Sequence, residues 1–228
     1  MLWINRIWIM TFFLLYKTAL ANPLQLYPET HWFEIYRNGS LVGKHETQFE
    51  TKEQKLAVSS KMQLDVKFLG ITFYHFDYLA KEIWENDELQ SLRVTVNDDG
   101  KTTMISADKS DRGLYVETGE NTYTYPTTLI TTNHWLANVV KNKSVLNTLT
   151  GNVNNVQIED LGWEEVVISD GEIRARRYDY TGDLEDTSVW YDEEGRWVKL
   201  SFKARDGSKI EYLCQTCGEA KTMLEPNA

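Results

Sequence analysis

The sequence is poor in the residues that most often announce a mechanism. Its 228 residues include two cysteines, four prolines and four histidines. Two cysteines do not build a disulfide-dense scaffold. Without a second pair they also fall short of the usual four-ligand zinc site, so no metal is expected. Four prolines leave no proline-rich linker on which to divide the chain. Lys and Arg together number 24 against 34 Asp and Glu, a net charge of −10. Such a chain repels nucleic acid and anionic membrane surfaces, which need positive patches. There is no G-x-S-x-G elbow, P-loop, dinucleotide fingerprint or H-E-x-x-H helix. The acidic runs at Asp183–Asp186 and Asp192–Glu194 lack the spacing of a calcium loop and read as solvated turns. No cofactor is expected, and enzymatic activity is not the leading expectation.

One apolar run is present, and it is N-terminal. Arg6 precedes the stretch Ile7–Tyr16, and Ala19-Leu20-Ala21 has the small-x-small cleavage pattern. This is the layout of a cleavable signal peptide over residues 1–21, blemished by Lys17. The run is too short to span a bilayer comfortably, and no later run approaches that length. Cleavage removes Arg6 and Lys17 and no acid, so the charge falls to −12. The expectation is an exported protein, in the periplasm of a Gram-negative bacterium, with no stable membrane anchor after cleavage. Residues 22–218 are expected to form one domain and 219–228 a frayed tail.

The body of the chain alternates. From Lys55 to Phe68, Met62, Leu64, Val66 and Phe68 point one way and Lys61, Gln63, Asp65 and Lys67 the other, the period-two mark of a half-buried strand. The stretch from Leu184 to Leu213 reads as three strands joined by Asp192-Glu193-Glu194-Gly195 and Arg205-Asp206-Gly207-Ser208. In it Val198, Leu200 and Phe202 share the core face, and Trp197, Lys199 and Ser201 the other. Asn38-Gly39 is a strong hairpin signal, because both residues accept positive φ. Gly43 suggests a bulge or a close backbone approach. Turn signals recur every 8–12 residues or so, the all-β pattern. The fold class expected is all-β and mainly antiparallel, a long hairpin meander forming a strongly curved sheet or β-barrel. One short helix is expected near 133–141, capped by Thr132 or Asn133, with Trp135, Leu136, Val139 and Val140 as its apolar stripe.

The strand Ile71–Trp84 is apolar or aromatic on both faces and is expected to be covered on both. Phe73, His75, Asp77 and Trp135 are the candidate ligand-binding residues. His75 and Asp77 share a face at i, i+2, where a carboxylate can orient an imidazole base, although a His satisfied by its neighbour is the more ordinary outcome. His45 is expected to be exposed. Arg174 and Arg176 share a face that suits an anionic head group or cross-strand acids. Cys214 and Cys217 are the disulfide candidate, because an exported location is oxidising. Thioredoxin-type chemistry needs this motif at a helix N-terminus, and here it follows a strand.

Three stretches carry a resemblance: WFEIYRNGSLVGKHETQFE near the start, TTNHWLANV in the middle and SVWYDEEGRWVKLSFKARDGSKIEYL near the end. They resemble an exported bacterial family known only as domain of unknown function 6134. The resemblance covers most of the chain after residue 21. It implies a bacterial envelope setting and supplies no activity and no catalytic residues. The family favours Asn where this chain has Leu136, so no polar site is expected there. The function expected is a soluble periplasmic barrel-like protein holding an apolar or lipid-like ligand. An envelope interaction or assembly module is the alternative, and a hydrolase or isomerase using His75-Asp77 or His134 ranks last.

Overall fold

The computed structural model describes residues 23–218, apart from Glu120 and Thr128. The expected signal peptide and the expected tail lie outside these residues. After a four-residue helix, α1 (Pro23–Leu26), the chain runs through eight antiparallel strands. They are β1 (Thr30–Arg37), β2 (Ser40–Lys52), β3 (Lys55–Phe68), β4 (Ile71–Glu85), β5 (Glu88–Asp98), β6 (Lys101–Ser110), β7 (Gly113–Thr118) and β8 (Asn121–Tyr125). An irregular stretch holds β9 (Ile130–Thr131), a 3-10 turn (Ala137–Lys141) and β10 (Ser144–Leu146). The second meander is β11 (Val153–Ile168), β12 (Gly171–Gly182), β13 (Thr187–Asp192), β14 (Trp197–Lys203) and β15 (Lys209–Cys214).

The fifteen strands among the described residues belong to one curved sheet, ordered β8-β7-β6-β5-β4-β3-β2-β1-β15-β14-β13-β12-β11-β10-β9. The first and last strands meet in its middle, with Phe33 opposite Cys214 and Ile35 opposite Tyr212. Every described pairing is antiparallel except β9 with β10. The two ends of the sheet approach without a ladder: the Thr118 hydroxyl of β7 donates to the Thr150 carbonyl at 3.1 Å. The result is a barrel-like wrap around one core.

The hairpin chemistry works as the composition implies. Asn38 and Gly39 take φ of 47° and 80°. Gly43 allows the close approach: a Cβ there would meet the Gln63 carbonyl oxygen at 1.9 Å. Next to it the β1–β2 register shifts between Ile35 and Tyr36.

Three expectations are corrected. His45 is buried, because it shares the inner face of β2 with Thr47 and Phe49. Trp197 is buried as well as Val198, because a register shift between Trp190 and Tyr191 turns both adjacent side chains of β14 inward. On β4, Phe76, Tyr78, Ala80, Glu82 and Trp84 form the buried face, but the other face is uncovered, with Ile71, Phe73 and Leu79 exposed.

The helix over 133–141 shrinks to the five-residue 3-10 turn. His134 takes φ of 58°, which a right-handed helix does not tolerate. Leu136 stands at the N-cap without a side-chain cap. Asn133 does not cap because its amide is engaged in the interior. Thr131, Asn133, His134, Trp135, Val139, Val145, Leu146 and Thr148 are all buried, so the segment between β8 and β11 fills the barrel rather than lying over its wall.

Candidate functional site

The interior is organised around a carboxylate that the sequence did not single out. Glu82, on the inner face of β4, is 1% exposed. Its Oε1 accepts from the Asn133 amide at 2.6 Å and the Thr131 hydroxyl at 2.7 Å. Its Oε2 accepts from the indole N–H groups of Trp135 at 2.8 Å and Trp84 at 3.0 Å. Burial pushes its pKa up, and the four donors oppose that rise. An indole N–H can only donate, so the two tryptophans require an acceptor here. Tyr78 completes the network: its hydroxyl donates to Asn133 Oδ1 at 2.6 Å and lies 2.9 Å from the Thr148 hydroxyl oxygen.

The barrel wall also ties down the backbone of the filling segment. Tyr27 donates to the Trp135 carbonyl at 2.6 Å and accepts from the Trp197 amide at 2.8 Å. Tyr191 donates to the His134 carbonyl at 2.9 Å. These bonds hold His134 in its left-handed conformation.

Three histidines are buried around Trp197. The His45 and His134 rings stand 5.3 and 5.9 Å from the Trp197 ring, and His31 reaches the Trp197 carbonyl at 2.7 Å. Burial lowers their pKa values, to about 4 for His31, about 3 for His45 and about 4 for His134, so all three are neutral near pH 7. His45 Nδ1, His134 Nδ1 and the Tyr180 hydroxyl are buried without a protein hydrogen-bond partner. His134 and Tyr180 are neighbours, with ring centroids 5.9 Å apart.

At one end of the barrel lies a pocket of about 570 Å³. Leu24, Leu56, Trp84, Trp135 and Leu136 contribute apolar atoms to its lining, but the larger share is polar, from Thr51, Glu53, Lys55, Glu85, Asp87 and their neighbours.

The four candidate ligand-binding residues do not come together. Trp135 is 2% exposed in the interior, whereas Phe73 is 81% exposed near the tip of the β3–β4 hairpin. His75 and Asp77 lie on the outer face of β4. His75 Nδ1 is 2.8 Å from Asp65 Oδ1 and its Nε2 is 2.7 Å from Asp77 Oδ2. The bonds to Asp65 and Asp77 raise its pKa. Both ring nitrogens are occupied, which favours the imidazolium and leaves no lone pair for base chemistry.

A family model described as a domain of unknown function, DUF6134, matches residues 33–215. The chain belongs to the DUF6134 family. No curated protein matches its sequence. Its fold is similar to the crystal structure of a β-barrel-like protein of domain of unknown function DUF1849 from Brucella abortus. The TM-score is 0.57 at 10% identity, covering 81% of this chain and 94% of that one. At that identity the likeness speaks for the fold alone.

The remaining polar candidates of this DUF6134 chain have structural partners. Arg176 pairs with Asp160 at 2.5 Å and Arg174 with Glu193 at 3.1 Å, and both guanidinium groups lie over the Trp163 ring. In the acidic turn, Asp192 is almost fully buried and binds Arg196 at 2.5 Å. Cys214 and Cys217 form a disulfide. Glu82 and His31 went unremarked in the sequence because their partners are distant along the chain. The alternation Phe76, Tyr78, Ala80, Glu82, Trp84 does place a lone acid on an apolar face, and that was the available signal.

Proposed function

We propose that this DUF6134 protein is an exported, barrel-like binding protein that seats the apolar part of a small amphipathic or lipid-like ligand at one end of the barrel. The observation that carries this reading is the pocket of about 570 Å³, where Leu24, Leu56, Trp84, Trp135 and Leu136 line one cavity with a larger share of polar and charged groups. Its size falls in the range of small-molecule sites, and its lining joins an apolar minority to a polar majority, which suits a ligand with both kinds of surface. The barrel centre is filled by the segment between β8 and β11, so the ligand sits at the mouth. The leader-like residues 1–21 and the Cys214–Cys217 disulfide support export to an oxidising compartment.

The test is native mass spectrometry of the protein purified from its own cells, with organic extraction and uptake from a defined lipid panel. A bound apolar mass is expected, and Leu136→Asp is expected to abolish uptake while Phe73→Ser leaves it intact. A bare chain that takes up nothing from the panel overturns the reading.

One observation favours an interaction module instead. Leu69, Ile71 and Phe73 are 87%, 74% and 81% exposed at one hairpin tip, and Leu69 holds φ of 50°, a costly conformation for leucine. Capture of a defined envelope protein through a cross-linker at position 73, abolished by Ile71→Ser, would favour that reading over the first.

A further inference from the structure

The C-x-x-C loop has a third potential ligand, supplied by the opposite end of the sequence. A ring nitrogen of His31, Cys214 Sγ and Cys217 Sγ all lie within 4.8 Å of one another, and all three residues are buried. The pairing of β1 with β15 brings them together, with Phe33 opposite Cys214 and the Gln215 amide bonded to the Trp32 carbonyl at 3.0 Å.

The orientation of the imidazole is fixed. His31 Nε2 lies 2.7 Å from the Trp197 carbonyl, which can only accept, so Nε2 carries the proton. Nδ1 therefore presents its lone pair to the C-x-x-C loop, where the Thr216 hydroxyl donates to it at 2.9 Å. A backbone carbonyl that sets the tautomer from the far side of the ring is the usual support of a metal-binding histidine. The Arg196 guanidinium, itself paired with Asp192, donates to the Cys217 carbonyl at 3.4 Å and so tethers the loop.

We propose that the reduced Cys214–Cys217 pair and His31 Nδ1 form a buried three-coordinate site for a soft monovalent cation, Cu(I), and that the disulfide is the closed state of this site. Two sulfurs and one imidazole suit Cu(I), whereas a structural zinc site takes four ligands and the group among the described residues has three. Opening needs a dithiol donor. Its two thiols pass two electrons and two protons to the Cys214 and Cys217 sulfurs as the S–S bond breaks, and the donor is left as a disulfide. Binding of Cu(I) then releases the two thiol protons, and Thr216 gives up its bond to His31 Nδ1.

This site shares no residue with the pocket at the barrel mouth. The test reduces the full chain anaerobically with a phosphine, removes the reductant and titrates Cu(I) against a coloured Cu(I) chelator. The reduced chain is expected to take one Cu(I), and the oxidised chain and the Cys214→Ser/Cys217→Ser variant none. His31→Gln should weaken binding by about tenfold or more, since even outer-shell changes cost metal affinity on that scale. Because His31 is buried, copper-edge X-ray absorption on the unaltered chain gives a second readout, with two sulfurs and one nitrogen expected. Uptake no greater than that of the double serine variant, a sphere of sulfur alone, or tighter retention of Zn(II) in a four-coordinate site would overturn the proposal.

Discussion

Glu82 and His75 lie on the same strand, seven residues apart, and face opposite ways. Glu82 points inward and is surrounded by four donors from β4 and the filling segment. His75 points outward between Asp65 and Asp77. Both are ionisable groups with satisfied partners at hydrogen-bond distance. Burial separates them. A buried donor that loses its acceptor finds no water to replace it, whereas an exposed ion pair dissolves into solvent at little cost. Polar clusters in this fold should therefore be ranked by burial and by what each leaves unpaired when broken, rather than by the number of their bonds.

The comparison is broken most severely by Glu82→Leu. This change orphans two indole N–H groups, an amide and a hydroxyl, and is expected to cost about 3–5 kcal/mol in denaturant unfolding. A loss no larger than that of a surface substitution would show that the network does not hold the barrel together. Trp135→Phe is a milder version. It keeps most of the ring and removes one donor, and is expected to cost about 1–3 kcal/mol.

Acid acts with opposite signs on the buried histidines and on His75. The folded pKa values of His31, His45 and His134 lie below 6.5, so the unfolded chain binds more protons as pH falls. Their contribution to stability is intact above about 6.5 and is lost progressively toward pH 4, at about 1.4 kcal/mol per ring for every tenfold loss of proton affinity on folding. His75 has the opposite sign. Its folded pKa is raised, so its contribution is complete below 6.5 and is lost as pH rises through the folded value. Glu82, also raised, acts in the same sense as His75 over its own range above 4.5, so the histidine ring signals in NMR are the measurement to read. Three rings are expected to stay neutral at pH 5, and His75 is expected to titrate above 6.5. A buried ring titrating near 6.5 would contradict the packing around Trp197.

The smallest effect is expected from His75→Ala, which should leave the melting midpoint in physiological salt unmoved, because an exposed pair is screened. A clear drop would mean that the outer face of β4 is covered in the functional state.

Much of the wall was legible in the residues. The alternation of Lys55–Phe68, the Asn38-Gly39 turn and the three strands ending at Cys214 all stand where the period and the turn chemistry place them. The candidate site was less legible. Trp135 was singled out for apolar spacing in a helix, but its position depends on Glu82, 53 residues earlier. Phe73 was singled out for sharing an aromatic strand, but periodicity alone does not say which face turns inward. His45 was misplaced for the same reason: alternation specifies two faces without naming the core side.

By itself, the sequence determined the all-β class, the hairpin order and the family, because these depend on local period, turn residues and short motifs. Only the tertiary structure decided that the middle segment fills the barrel, that Glu82 gathers its donors and that His31 meets the C-x-x-C loop 183 residues away. Those contacts join strands that are neighbours only after the first and last strands pair, and no local pattern encodes that closure.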